Sequence, residues 1–419
     1  MGLKNSTPFE SSKRYDKPVM DRRRFLAATL SPLLLDRLHA APKLRVTGME
    51  FFPVRATDRT VWMIVRLRTD QGLTGLGEAS DAFGYANTTK EQAQRMETEL
   101  RRFYGLMEGK SPLDVMNYRE RGEAWAIAGG LVSATAYSAI EQAMWDLAGQ
   151  ALGVPTYDLF GGKIRDRVPI YANINRATQP RTPEGFASTA RRAVAEGFRA
   201  VKGAPFDGFP PPGSPPETIK RAVDQGIAAV AAMRDSIGGG VQLMVDCHSF
   251  FDVRMAVDVA RRIESQDLTW YEEPVAPERI EDTLEIKRGI KQSMAAGEIL
   301  FGTKGFAALC RRKAVSVIMP DVKHCGGLLE MTYIAAMARD EGVEVAPHNP
   351  SGPVSMAASV QMSACMPNFL ILELQWGEVP WRSELVNGAE RIERGSMQVP
   401  DAPGLGIQLN DKLALAHPV

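Results

Sequence analysis

The chain has 419 residues, 44% of them hydrophobic and 24% charged, a composition that suits a soluble globular protein with core material for two domains and excludes a disordered or fibrous one. Its 50 lysines and arginines balance 50 aspartates and glutamates, so no bulk charge draws it to nucleic acid or an anionic membrane, and a small-molecule partner is expected. The cysteines, Cys247, Cys310, Cys325 and Cys365, show no CxxC pairing and no dense spacing, which argues for reduced, mostly buried thiols rather than a disulfide framework or a structural zinc site.

In chain order, residues 1–41 stand apart. Asp21-Arg22-Arg23-Arg24-Phe25-Leu26 opens an apolar stretch, Phe25 to Leu35, too short to span a bilayer. It resembles a twin-arginine export signal, although Asp36 and Arg37 interrupt its end and no A-x-A site precedes Pro42. The resemblance predicts a periplasmic protein that folds before crossing, with no membrane association in the mature form. The alternative is a disordered basic leader or a mis-called start, on a cytoplasmic protein.

Residues 42–167 read as an α+β domain. Val61 to Arg68 and Leu73 to Gly77 are strand-like about a turn at Asp70-Gln71-Gly72, predicting a β-meander. Between Thr88 and Gly149 the pattern is helical, and Ile140, Ala143, Met144, Leu147 and Ala148 make one apolar face. From 168 to 375 strands and helices alternate. The strand candidates are Val168 to Ala172, Ala200 to Lys202, Gln242 to Asp246, Thr269 to Glu272, Met294 to Glu298, Ser316 to Pro320, Glu344 to Pro347 and Leu370 to Leu374. This is an α/β pattern and predicts a (β/α) barrel. The Pro-rich insertion Phe209 to Pro216 follows the second strand and so lies on the barrel rim. Residues 376–419 break the period, are turn-rich at Asp401 to Gly406, and are expected to return to the first domain.

The chemistry lies at the strand ends. Asp246, Glu272 and Glu298 close three successive strands at intervals of 26 residues. Three carboxylates pointing into one bowl repel each other unless a hard cation such as Mg²⁺ joins them. Asp321, His348 and Glu373 continue the period at intervals of 23, 27 and 25. An aspartate beside a histidine holds the imidazole tautomer and raises its basicity, so Asp321 and His348 are read as a general-base dyad.

Asp246, Tyr271-Glu272-Glu273-Pro274, Ala296-Gly297-Glu298, the run Pro320 to Gly327, and Ala346-Pro347-His348-Asn349-Pro350 together resemble the mandelate racemase subgroup of the enolase superfamily, over about residues 44 to 410. The resemblance implies a modified TIM barrel, (β/α)₇β, closed by an α+β capping domain built from N- and C-terminal segments. It implies Mg²⁺ on Asp246, Glu272 and Glu298, and a base that removes the proton α to a substrate carboxylate to give a metal-stabilised enediolate. Glu373 matches a position that hydrogen-bonds the enediolate when protonated, and Leu372 and Leu374 are expected to help raise its pKa. Glu273 and Pro274 are expected to shape the turn.

Two departures set the subclass. Where many relatives carry Lys-x-Lys, this chain has Lys202-Gly203-Ala204, so the second base is absent, while Lys202 can neutralise the substrate carboxylate or form a structural salt bridge. His248 lies two residues past Asp246, on the same side of an extended chain. There it matches the general acid of the galactonate dehydratase-type enzymes. His348 as base and His248 as acid imply β-elimination of water from an acid sugar to a 2-keto-3-deoxy acid. The alternatives are a racemase or epimerase using His248 or Lys202 on the second face, and a catalytically silent carboxylate-binding protein. His324, Lys163 and Arg165 are left outside the catalytic set. Substrate choice is assigned to the loops Phe51 to Thr60 and Ala79 to Thr89, with Phe52, Phe83 and Tyr85, and to the rim Phe206 to Pro216. Homo-oligomers are common in the family.

Overall fold

The computed structural model describes residues 43–84 and 88–419. The leader expected at 1–41 and Tyr85 therefore lie outside the described residues. Strands β1 (Val46–Arg55), β2 (Val61–Thr69) and β3 (Thr74–Glu78) form an antiparallel meander in that order. Helices α1 (Lys90–Tyr104), α2 (Val115–Ala128) and α3 (Gly130–Leu152) pack with it around Met63, Val65, Leu67, Met96, Phe103 and Ile140. β3 lies directly on α3 because Gly75 and Gly77 have no side chain. A Cβ at Gly77 would fall 1.9 Å from the Ala139 carbonyl oxygen.

The expected face of α3, Ile140 to Ala148, is buried, but so is the helix's other side. There Thr135, Ser138, Glu141 and Gln142 face the barrel. Glu141 accepts from the backbone N–H groups of Leu328 (2.7 Å) and Leu329 (3.0 Å). Gln142 spans Glu78 N–H and the Val322 carbonyl. Glu78 in turn accepts from Gly352 N (2.7 Å) and Ser355 N (2.8 Å). Buried polar groups must be hydrogen-bonded, and here their partners are the loops that carry the barrel's chemistry.

The barrel strands are β4 (Arg167–Asn173), β5 (Ala200–Gly203), β6 (Gln242–Asp246), β7 (Trp270–Glu272), β8 (Met294–Ala296), β9 (Val317–Ile318), β10 (Glu344–Val345) and β11 (Leu372–Gln375). They pair in parallel from β4 to β10, and β11 pairs with β4. A parallel bridge between Val345 and Phe369 joins the two ends. Seven helices link the strands: α4 (Pro183–Ala195), α5 (Pro216–Ile237), α6 (Val253–Arg262), α7 (Ile280–Gly289), α8 (Gly302–Arg311), α9 (Gly327–Asp340) and α10 (Pro353–Cys365). This is the (β/α)₇β order. β9 and β10 are shorter than the sequence suggested because Pro320 and Pro347 bring no N–H to the ladder.

The tail forms a hairpin, β12 (Ile392–Glu393) and β13 (Ser396–Gln398), whose second strand runs antiparallel to β4. Helix α11 (Asp411–Ala416) follows, with Asp411 paired to Arg66 on β2 at 2.6 Å and Pro418 bridged to Val54 on β1. Among the described residues no helix is long and apolar enough to cross a membrane.

Candidate active site

Tyr171, Ala200, Met244, Trp270, Val317, Met319, Ala346 and Ile371 fill the barrel interior. Side chains alternate along a strand, so residues two positions further on, towards the C-terminal mouth, share the interior side. Those residues are Asn173, Lys202, Asp246, Glu272, Asp321, His348 and Glu373. Glu298 breaks the rule: its period-two partner Ala296 belongs to the outer core. Gly297, at φ 109°, turns the chain so that Glu298 joins the cluster.

His348 is buried, and its Nδ1 lies 2.8 Å from Asp321 Oδ2. Its Nε2 faces Glu298 at 3.2 Å and Glu373 at 3.8 Å. Burial opposes protonation of His348, but these carboxylates outweigh it and raise the pKa above the ordinary value. Asp321 also accepts Lys323 Nζ at 2.5 Å and Lys323 N at 2.8 Å. Against the effect of burial, Lys323, His324 and His348 hold its carboxyl far below the usual range. His324 is tied to Thr135 of α3 at 2.8 Å, and burial pushes its pKa down to about 4.

His248 reaches the mouth differently from the expected pleat. β6 ends at Asp246, and both His248 (φ 44°) and Ser249 (φ 59°) are left-handed. The turn sets His248 N 2.9 Å from Asp246 Oδ1 and its Nε2 3.1 Å from Asp246 Oδ2. Its Nδ1 lies 2.5 Å from Asp207. Burial is outweighed by Asp246 and Asp207, so this imidazole too is held above its ordinary pKa. Asp207 follows the second barrel strand, where no strand period marks it; neither it nor Lys323 was among the expected site residues.

Asp246 and Glu272 are register partners on β6 and β7. Ligand atoms of Asp246, His248 and Glu298 lie within 4.8 Å of one another, a group able to hold a metal ion. Glu272 points to Lys202 Nζ (2.7 Å) and Trp270 Nε1 (2.7 Å). Burial, then Asp246, raises the Glu272 pKa well above the carboxylate range despite Lys202. Burial and Glu298 push neighbouring Glu273 up to about 8, and Glu273 accepts from Gly297 N and Ser249 Oγ, bracing the turn. Buried carboxylates crowded this closely, with Glu272 and Glu273 reluctant to hold their charges, fit a divalent cation.

Glu373 corrects one expectation. Leu372 and Leu374 point into the outer core, so they do not enclose its carboxylate. That carboxylate accepts from Asn173 Nδ2 (2.7 Å) and Asn349 N (3.0 Å) and pairs with Lys202 (2.9 Å). Burial would raise its pKa, but Lys202 and His348 lower it, so it is held as an anion. Lys202 is fully buried between Glu272 and Glu373, with Asp246 at 3.6 Å. A narrow polar cleft opens above these groups.

Fold and site together define a parallel-barrel enzyme with two histidines beside a cation-seeking carboxylate floor. Residues 49–161 match the mandelate racemase/muconate lactonizing enzyme N-terminal domain, and residues 185–413 match the family described as enolase C-terminal domain-like. The chain belongs to the mandelate racemase/muconate lactonizing enzyme group of the enolase superfamily. It is similar to the D-gluconate dehydratase of Thermoproteus tenax (33% identity, covering 84% of this chain and 68% of the relative) and to the D-xylonate dehydratase of Haloferax volcanii (32%, 85% of each). A D-galactonate dehydratase of Variovorax paradoxus is 29% identical over 84% of this chain and 89% of its own length. The solved mandelate racemase/muconate lactonizing enzyme from Jannaschia sp. CCS1 superposes with a TM-score of 0.77 at 30% identity, covering 90% of this chain and 98% of that one.

Proposed function

We propose that the chain is a Mg²⁺-dependent acid-sugar dehydratase. The observation that carries this reading is the pair of histidines, each with its own aspartate, His348 with Asp321 and His248 with Asp207, beside one carboxylate cluster. Asp246, Glu272 and Glu298 would hold the metal. Each carboxylate oxygen has two lone pairs, so the Lys202 contact does not exhaust Glu272. When bound, Mg²⁺ supplies positive charge to the substrate carboxylate as its α-proton leaves.

His348 takes the α-proton on Nε2 while Asp321 holds Nδ1–H, fixing the tautomer. Lys202 adds fixed positive charge beside the same floor, and Glu373 keeps it there. His248, protonated between Asp207 and Asp246, gives its proton to the departing β-hydroxyl, which leaves as water. The enol that results tautomerises to a 2-keto-3-deoxy acid. Epimerisation is disfavoured because Ala204 offers no second base. Although burial favours losing the proton, Glu272 and Glu373 hold the Lys202 ammonium well above its ordinary pKa.

The test is an assay with Mg²⁺ in D₂O against aldonic and uronic acids, with His348→Asn and His248→Asn in parallel. Keto-acid formation should vanish in both, while α-deuterium exchange survives only in His248→Asn. Labelled substrate without keto acid would refute dehydration in favour of epimerisation, and no exchange at all would favour a binding protein. The proposal includes export by the 1–41 leader, checked by fractionating cells carrying Arg22→Lys and Arg23→Lys. It also includes a homo-oligomer, checked by light scattering.

A further inference from the structure

The cleft carries more positive charge than the proposed elimination uses. Lys202, Arg176, Arg181 and Arg59 all line it. Lys202 is claimed by Glu272 and Glu373. Arg176 lies between Asp81 (3.0 Å) and Glu378 (3.2 Å). Arg181 donates to the carbonyls of Asn175 (2.8 Å) and Ala204 (2.7 Å) and to Asp207 (3.1 Å), a carboxylate that His248 also engages. Arg59, exposed at the cleft's edge like its neighbour Asp58, makes no ion pair among the described residues.

Arg59 does not sit on a loose loop. Thr57 Oγ1 accepts from Arg59 N (3.2 Å) and Thr60 N (3.1 Å). Thr60 Oγ1 donates to Glu378 at 2.6 Å and accepts from Arg176 at 3.2 Å. The β1–β2 turn of the cap is thus fastened to the barrel rim with Arg59 held over the cleft. Burial and the nearby Arg59 charge both pull the Arg181 guanidinium below its ordinary value, against Asp207. Asp207 answers Arg181 alone, so an anion entering the cleft would meet two like charges that share a single carboxylate.

We propose that Arg59 and Arg181 form a subsite for a second carboxylate, at the end of the substrate remote from the reacting carbons, so that the chain prefers a sugar diacid to the matching monoacid. This deepens, and rests on, the dehydratase reading. A gluconate or xylonate presents a neutral CH₂OH at that end and would leave the Arg59 charge without a carboxylate, while Arg181 keeps only the carboxylate of Asp207. A phosphate there shares the anionic chemistry. The narrow cleft and the planar fork of a guanidinium favour the flat carboxylate.

The experiment uses the full chain with saturating Mg²⁺ and compares kcat/KM for an aldonate, its aldarate and its terminally phosphorylated aldonate, across several sugar configurations. For the preferred configuration the diacid should exceed the monoacid by at least about tenfold, the effect of roughly one charge-assisted hydrogen bond. Arg59→Gln should collapse that ratio about tenfold, chiefly through KM, and Arg181→Gln should also lower it. A monoacid used as well as its diacid, or a ratio unmoved by Arg59→Gln, overturns the subsite and leaves the dehydratase standing. Preference for the phosphorylated acid over the diacid overturns the carboxylate assignment. Absence of both turnover and α-proton exchange with every acid sugar overturns the dehydratase reading and the subsite with it.

Discussion

Lys202→Met tests whether the carboxylate floor is built for a cation. Lys202 Nζ stands 2.7 Å from Glu272, 2.9 Å from Glu373 and 3.6 Å from Asp246, and all four groups are buried. At an effective dielectric of about 20, each contact is worth ~5–6 kcal/mol before desolvation is counted. Removing one partner of such a buried set costs ~3–5 kcal/mol net, because the carboxylates are left unpaired. For a folded unit spanning Leu44–Val419, entropy scaling per residue gives ~1–1.5 °C of melting temperature per kcal/mol. In EDTA the variant should therefore melt ~4–6 °C below the parent. With excess Mg²⁺ bound to the same acids, the missing charge is largely replaced and the gap should shrink to ~1–2 °C, by linkage. Thermal denaturation of both proteins in both buffers gives the four numbers. An equal drop in EDTA and in Mg²⁺ would mean that the metal and Lys202 do not share these carboxylates, and the assignment of the floor would fall.

Metal titrations should show at least about tenfold weaker Mg²⁺ binding for Glu272→Gln and little change for His248→Asn, and the reverse pattern would assign the third ligand to His248. Asp207→Asn removes the partner of His248 Nδ1 and should slow keto-acid formation about 10- to 100-fold while α-deuterium exchange persists; equal loss of both would deny it a role confined to the acid. Glu141, buried at the cap–barrel contact, has its pKa pushed up to about 7 by burial. A carboxyl raised in the folded state contributes stability that is full below its unfolded value near 4.5 and is lost as pH rises through about 7. Relative to the parent, Glu141→Gln should thus be less destabilised at pH 8 than at pH 5, and a pH-independent difference in denaturation free energy would contradict this. Gly77→Ala places its Cβ against the unyielding Ala139 carbonyl and should cost ~3 kcal/mol or more by chemical denaturation.

The barrel and most of its mouth were legible because both obey a period. Asp246, Glu272, Asp321, His348 and Glu373 each lie two residues beyond an apolar interior side chain, and the strand-to-strand spacing repeats at 23 to 27 residues. What the period does not encode was missed or misjudged. Asp207 lies in the irregular turn after β5, and its approach to His248 depends on two left-handed residues that look extended in the sequence. The charge state of Glu373 was misjudged because its sequence neighbours are apolar while its spatial neighbours, Lys202 and Asn173, come from other strands. Chain proximity says little about the field at a barrel mouth, where each side chain's surroundings are supplied by strands distant in sequence.

Helix α3 likewise reads as a single apolar face yet is buried on both sides. Its second face is polar because it meets mainly backbone: Ser138 receives Gly326 N, and Glu141 receives the first N–H groups of α9, while Thr135 meets the His324 ring. These bonds seat the loop from Asp321 to Gly327, and Glu78 does the same for the loop after His348. Both halves of the general-base dyad thus rest on hydrogen bonds from the capping domain. The barrel alone fixes where Asp321 and His348 begin, and the cap fixes how their loops lie. Because those contacts are backbone-directed and buried, loosening the cap would leave N–H groups without acceptors at about 1–3 kcal/mol each. That penalty ties the geometry of the base to closure of the same cap that carries Arg59 over the cleft.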